Sequence, residues 1–167
     1  MKELIQMNQP LQEALNKQVA NWSILYTKFH NYHWYVKGST FFELHQKFEE
    51  LYHEADSILD ELAERLLAIG GKPVARFPDI LVHTSLQEAN GNETAEQMVQ
   101  QIVTDFEQLT NELRDAIQLA NKANDDPTAD LLTGVLTKIE KYNWMFEAYL
   151  GALDQTPSGI SKIYRTQ

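Results

Sequence analysis

Apolar residues recur along this chain in four long helical stripes, and the breaks between them differ in kind. The first stripe runs through Leu11, Leu15, Trp22, Leu25 and Phe29 at three-, four- and seven-residue steps. Pro10 suits a first turn, where its missing N–H costs nothing. The spacing predicts a helix from about Pro10 to Val36, stopped by Lys37 and Gly38. A second stripe takes in Leu44, Phe48, Leu51, Ala55, Ile58, Leu62, Leu66 and Ile69. Thr40 with Glu43 predicts a capping box at its start, and Gly70 with Gly71 predicts its end. The third stripe, Met98, Ile102, Phe106, Leu109, Leu113 and Ile117, begins near Thr94, with Gln97 three residues on. The fourth, Leu131, Val135, Ile139, Tyr142, Met145 and Tyr149, follows a break at Asn124, Asp125, Asp126 and Pro127. There Asp126 is the expected cap and Pro127 the expected first helical residue.

Residues 71–93 carry Pro73, Pro78 and Gly91 and read as a long connection with a short helix over 79–88. Residues 152–167, with Pro157 and Gly159, read as a tail. No alternating strand pattern competes. Helices of roughly 25–30 residues are each about 40 Å long. Two helix pairs joined by one long crossover, between the second and third helices, give an all-α, ferritin-like four-helix bundle. One domain spans 1–167, with the bundle over about 10–151.

Composition narrows the chemistry. There is no cysteine, which excludes disulfides and thiolate metal sites. No run of about 18 apolar residues offers a membrane span. The first ten residues lack the apolar core of a signal peptide, so a cytoplasmic location is expected. Lys and Arg number 14 against 24 Asp and Glu, for a net charge of −10. Such a surface attracts cations and repels phosphate backbones.

The stretch 33–64 carries the candidate ligands. With Leu44 as zero and about 100° per residue, the second stripe stays within roughly 40° of zero. His45, Glu49, Asp60 and Glu64 fall at roughly 100°, 140°, 160° and 200°, facing away from their own core. His45 and Glu49 are one turn apart, as are Asp60 and Glu64. The two pairs are separated by about 22 Å along the axis, so one chain cannot close one site with all four. Either each pair binds alone, or an antiparallel copy of the helix brings one pair beside the other. In the second case the dyad lies near Tyr52 and His53, and the interface is of the common two-fold kind. A lone His/Glu pair at this spacing is ordinarily a solvated face. His33 falls near the first apolar stripe, where a packed core histidine is the plainer role. Glu50 and His53 match the Glu-x-x-His unit of di-iron bundles, but the second half of the chain offers no partner motif. Imidazole with carboxylate and no thiolate suits Fe(II), Mn(II) or Zn(II).

At these residues the chain resembles the Dps family, the DNA-binding proteins from starved cells or mini-ferritins. The matching residues are His33, Trp34, Val36 and Gly38; Phe41, Phe42, Leu44 and His45; Phe48 and Tyr52. They continue with Asp60, Leu62, Ala63, Glu64 and Arg65, and run into Ala68, Ile69, Gly70, Gly71, Lys72 and Pro73. The likeness covers about residues 10–151 and includes Trp144, Met145 and Phe146. It implies a hollow homododecamer with ferroxidase sites at two-fold interfaces. His33 and His45 would come from one subunit, Asp60 and Glu64 from the other, with Glu49 as a further carboxylate where the family commonly has aspartate. It implies oxidation of Fe(II), preferably by hydrogen peroxide, and storage of Fe(III) mineral in the cavity; Zn or Mn are alternative occupants of the site. Trp34 is implied to lie close to the iron. Asp126 and Asp130 are implied to line three-fold pores through which Fe(II) enters, with Asn121 where an aspartate is frequent. Family members that bind DNA directly usually do so through basic tails. Here residues 1–9 hold one lysine and one glutamate, and residues 152–167 are net +1. Direct duplex or nucleoid binding is therefore expected to be weak.

Overall fold

The computed structural model describes residues 2–151, with side chains from residue 9 onward; the expected tail, 152–167, lies outside the described residues. Five helices follow one another: α1 (Lys2–Tyr35), α2 (Phe41–Ala68), α3 (Phe77–His83), α4 (Ala95–Lys122) and α5 (Asp126–Tyr149). No strand occurs among the described residues. The first two long helices pair with one another, as do α4 and α5, and short α3 in the crossover packs on α1. None of these helices is long and apolar enough to cross a membrane.

The first three stripes and Val135 and Ile139 of the fourth supply the core; on α5 the buried face also takes in Leu132, Leu136 and Phe146, whereas Leu131, Tyr142 and Met145 are half-buried and Tyr149 is exposed. Leu44, Phe48, Leu51, Ala55, Ile58, Leu62 and Leu66 are all buried on α2, facing Leu11, Leu15, Leu25 and Phe29 of α1 and the inner faces of α4 and α5. Each large apolar side chain so buried stabilises the fold by about 1.5–3 kcal/mol.

The element ends differ from expectation in four places. Helix α1 starts at Lys2, and Pro10 lies inside it. Proline's fixed φ is helical, so the chain upstream continues at the loss of one backbone bond. Thr40 precedes α2, but its φ of −101° and ψ of 19° are not extended, and its side chain makes no capping bond. An N-cap oxygen reaches the next turn only from extended backbone, so the expected box with Glu43 is absent. The short helix spans Phe77–His83 because Pro78 sets its first turn. It stops where Thr84 Oγ1 and Ser85 N donate to Asn21 Oδ1 at 2.8 and 2.9 Å. The cap of α5 is Asp125, whose carboxylate accepts from Thr128 N at 3.2 Å, and Asp126 is already helical. The box at Thr94 and Gln97 forms in both directions.

One feature of the core is polar and lies outside the apolar positions of the stripes. Lys28 and Asp105 are buried at 1% and 3% exposure, and their Nζ and Oδ2 are 2.6 Å apart. Gln101 Nε2 donates to the other Asp105 oxygen at 3.0 Å. The pair joins α1 to α4 inside the bundle. Burial pushes the Asp105 carboxyl up even though Lys28 and Gln101 oppose the shift.

Candidate metal centre

The α1–α2 turn brings two of the expected ligands, His33 and His45, together. Gly38, at φ +112°, reverses the chain in a conformation that L side chains rarely adopt. The end of α1 is thereby set against the start of α2. His33 Nδ1–H donates to the main-chain oxygen of His45 at 2.7 Å, and His45 Nδ1–H donates to that of His33 at 2.7 Å. The two rings stack with centroids 3.8 Å apart and planes 16° apart. A carbonyl oxygen only accepts, so each bond assigns the proton to Nδ1 and leaves Nε2 of the neutral ring with a free lone pair. Histidine ligands to metals are ordinarily oriented in this way. His33 is thus half-buried and paired with His45; it is not a packed core residue.

Glu49 is exposed one turn beyond His45. Tyr52 Oη donates to its Oε1 at 3.4 Å. The Tyr52 ring stacks on His30 at 3.9 Å and meets His33 edge-on at 5.4 Å. Partial burial and the adjoining Glu49 carboxylate push the Tyr52 phenol up. His30 and Tyr52 escape a search for ligands alone, although His30 is spaced to share a helix face with His33. His30 Nδ1–H donates to Tyr26 O at 2.8 Å. His53 is exposed beside Tyr52, and Glu50 is paired with Lys47.

Asp60 and Glu64 are both exposed on α2. At 1.5 Å per residue they stand about 22 and 28 Å beyond His45 along the axis. Within one chain they do not join the histidines, and no group of three or more His, Asp or Glu side chains able to hold a metal ion forms among the described residues. The donor set fits a hard or borderline dication, but the chain divides it between two places. Trp34 and Phe42, exposed at 67% and 80%, lie close in sequence to the histidine end of that face.

The α4–α5 turn holds the other acidic group. Asp126 and Asp130 are exposed there. Asp125 is held by Arg65 at 2.6 Å and bonded to Thr128, while Arg65 Nε also donates to Thr128 Oγ1 at 2.7 Å. Burial opposes charge on Asp125, but the bonds from Thr128 and the Arg65 guanidinium outweigh it and hold the carboxyl below its ordinary range.

A ferritin-like domain family matches residues 12–156 of the chain. DNA protection during starvation protein 2 of Bacillus anthracis is 54% identical over 144 residues, which are 86% of this chain and 99% of that one. The crystal structure of a Dps protein from Bacillus brevis superposes with a TM-score of 0.86 at 48% identity, covering 87% of this chain and 97% of that one. A Dps protein from Vibrio cholerae, described as a member of a broad superfamily of ferritin-like diiron-carboxylate proteins, superposes with a TM-score of 0.84 at 34% identity. It covers 87% of this chain and 91% of that one.

Proposed function

The chain belongs to the Dps family of ferritin-like proteins, and on that premise we propose that it oxidises and stores iron. The reaction takes Fe(II) as substrate and hydrogen peroxide as the preferred oxidant, at a site shared by two copies. The observation that carries this reading is the reciprocal pair of histidine bonds across the α1–α2 turn, which leaves two Nε2 lone pairs free. His33, His45 and Glu49 of one copy supply one half of the site, and Asp60 and Glu64 of an antiparallel second copy supply the other. Two Fe(II) give one electron each to hydrogen peroxide, which takes up two protons and leaves as two waters. The carboxylates hold the hard cation and balance the charge it gains on oxidation, while the imidazoles complete the ligand set. Asp126 and Asp130, repeated around a three-fold axis, draw Fe(II) inward, and the Fe(III) product is stored inside a hollow dodecamer in the cytoplasm. Zn(II) or Mn(II) suits the same donors and would compete with iron there.

A shared site has a distinctive genetic signature. His45→Ala and Asp60→Ala variants are each expected to lose peroxide-driven Fe(II) oxidation in stopped-flow measurements. Co-assembly should restore it, because each mixed dimer contains one site with both residues intact. Random mixing makes half the dimers mixed, with one of two sites intact, so about a quarter of the parent rate returns. Absence of rescue in verified mixed assemblies would overturn the shared site.

The alternative, direct duplex compaction, is disfavoured by the net charge of −10 per chain. Protection in this reading comes from consuming Fe(II) and peroxide. A gel-shift at low salt should leave duplex DNA unretarded, and firm retention would reverse that conclusion.

A further inference from the structure

We propose that Tyr52 is a positioning residue for Glu49, fixing that carboxylate in the half-site before a second copy completes it. The inference rests on the iron-site reading above and extends it to a residue that is not itself a ligand. Glu49 carries one methylene more than aspartate and is exposed, so its carboxylate has rotamer freedom that must be lost when it binds a cation. Tyr52 stands three residues on, a spacing that places two side chains on one helical face. Its hydroxyl donates to Glu49 Oε1 at 3.4 Å and leaves Oε2 without a bond from that side.

The phenol itself is held. Its ring is stacked on His30 at 3.9 Å with planes 21° apart, and its edge meets His33 at 5.4 Å with planes 81° apart. His30 is fixed in turn by its bond to Tyr26 O at 2.8 Å. One residue therefore meets the imidazole of a proposed ligand edge-on and reaches the carboxylate of another through a long hydrogen bond. Through Tyr52 the Glu49 carboxylate is referred to α1, although it is borne by α2.

The test uses Tyr52→Phe, which keeps the ring stack and removes only the hydroxyl, measured alone and with Glu49→Ala. Anaerobic Co(II) titration of the assembled protein reports cation affinity without turnover, and Fe(II) half-saturation and maximal rate are measured in parallel. Tyr52→Phe should weaken Co(II) binding and raise Fe(II) half-saturation on the order of 3- to 10-fold, the net scale of one ordinary hydrogen bond, since this one is long and solvent-exposed. The maximal rate should stay near that of the parent. In the Glu49→Ala background the same change should have no further effect. Parent-like affinity in Tyr52→Phe, with Glu49→Ala impaired, would sink the positioning role and leave the iron site standing. An equal loss in both backgrounds would also overturn it, since the hydroxyl would not then act through Glu49. Parent-like behaviour of both Glu49→Ala and His45→Ala would remove the iron-site reading and this inference with it.

Discussion

The bundle places charge in two contrasting settings. Inside, Lys28 and Asp105 complete each other within one chain, at 2.6 Å and nearly out of solvent. Outside, His45 and Glu49 stand at one end of α2's outer face with His33 of α1 against them, and Asp60 and Glu64 stand near the other end. The inner pair has no unmet need except to stay together. The outer carboxylates are exposed and the two histidines half-buried, and within one chain the two groups do not meet. The inner charges are closed by the fold itself, whereas the outer set is left open within one chain, as the proposed shared site requires. The Arg65–Asp125 clamp falls between these extremes, with side chains 25% and 13% exposed.

Equilibrium denaturation should separate the three settings in that order. Lys28→Ala is expected to cost about 3–5 kcal/mol, because it strands a buried carboxylate. Replacing both partners, as Lys28→Met with Asp105→Leu, should restore most of that loss. A double variant as unstable as the single would break the contrast, showing that the pair contributes more than the avoidance of an unpaired charge.

Asp125→Ala should cost about 1–2 kcal/mol through loss of the α5 cap. The Asp125 carboxyl is held down in the folded chain. Its stabilisation is therefore complete above the unfolded value of about 3.9 and is lost as pH falls through the lower folded value. The difference between parent and Asp125→Ala should hold steady from neutral pH to around pH 4 and shrink below it. A difference that widened in acid would reverse the assigned direction.

Asp60→Ala with Glu64→Ala should have the smallest effect, within about 0.5 kcal/mol of the parent at matched assembly state, because both side chains are exposed. A large loss would mean that the outer set also stabilises the single chain.

The four stripes were legible because each helix buries one face, and the period of 3.6 carries that signal over many turns. Leu44 through Leu66 fall on the buried side as their spacing requires. End details were less legible because they turn on local backbone angles. Thr40 has the right side chain in a conformation that cannot use it, and Asp125 stands one residue before the aspartate expected to cap. The outward direction of His45, Glu49, Asp60 and Glu64 could be read from phase alone. The histidine pairing could not, since it depends on how α1 returns against α2 after Gly38. The buried ion pair did leave a trace. Lys28 lies among Ile24, Leu25, Phe29 and Tyr32, and Asp105 between Ile102 and Phe106, so each interrupts an apolar face with opposite charge. Matching them across helices requires the tertiary register, which no single stripe contains.

The reciprocal bonds of His33 and His45 also have an entropic consequence. Folding already fixes both imidazoles in a stack, so their rotamers are chosen before any cation arrives. Ordering a side chain on binding otherwise costs about 0.5–1.5 kcal/mol, and that cost does not fall on these two residues when a ligand binds. Asp60 and Glu64, exposed and free to turn, still carry it. The two ends of α2 thus differ in readiness for the proposed cation: the two imidazoles are set by the chain's own turn, whereas Asp60 and Glu64 are exposed at the far end.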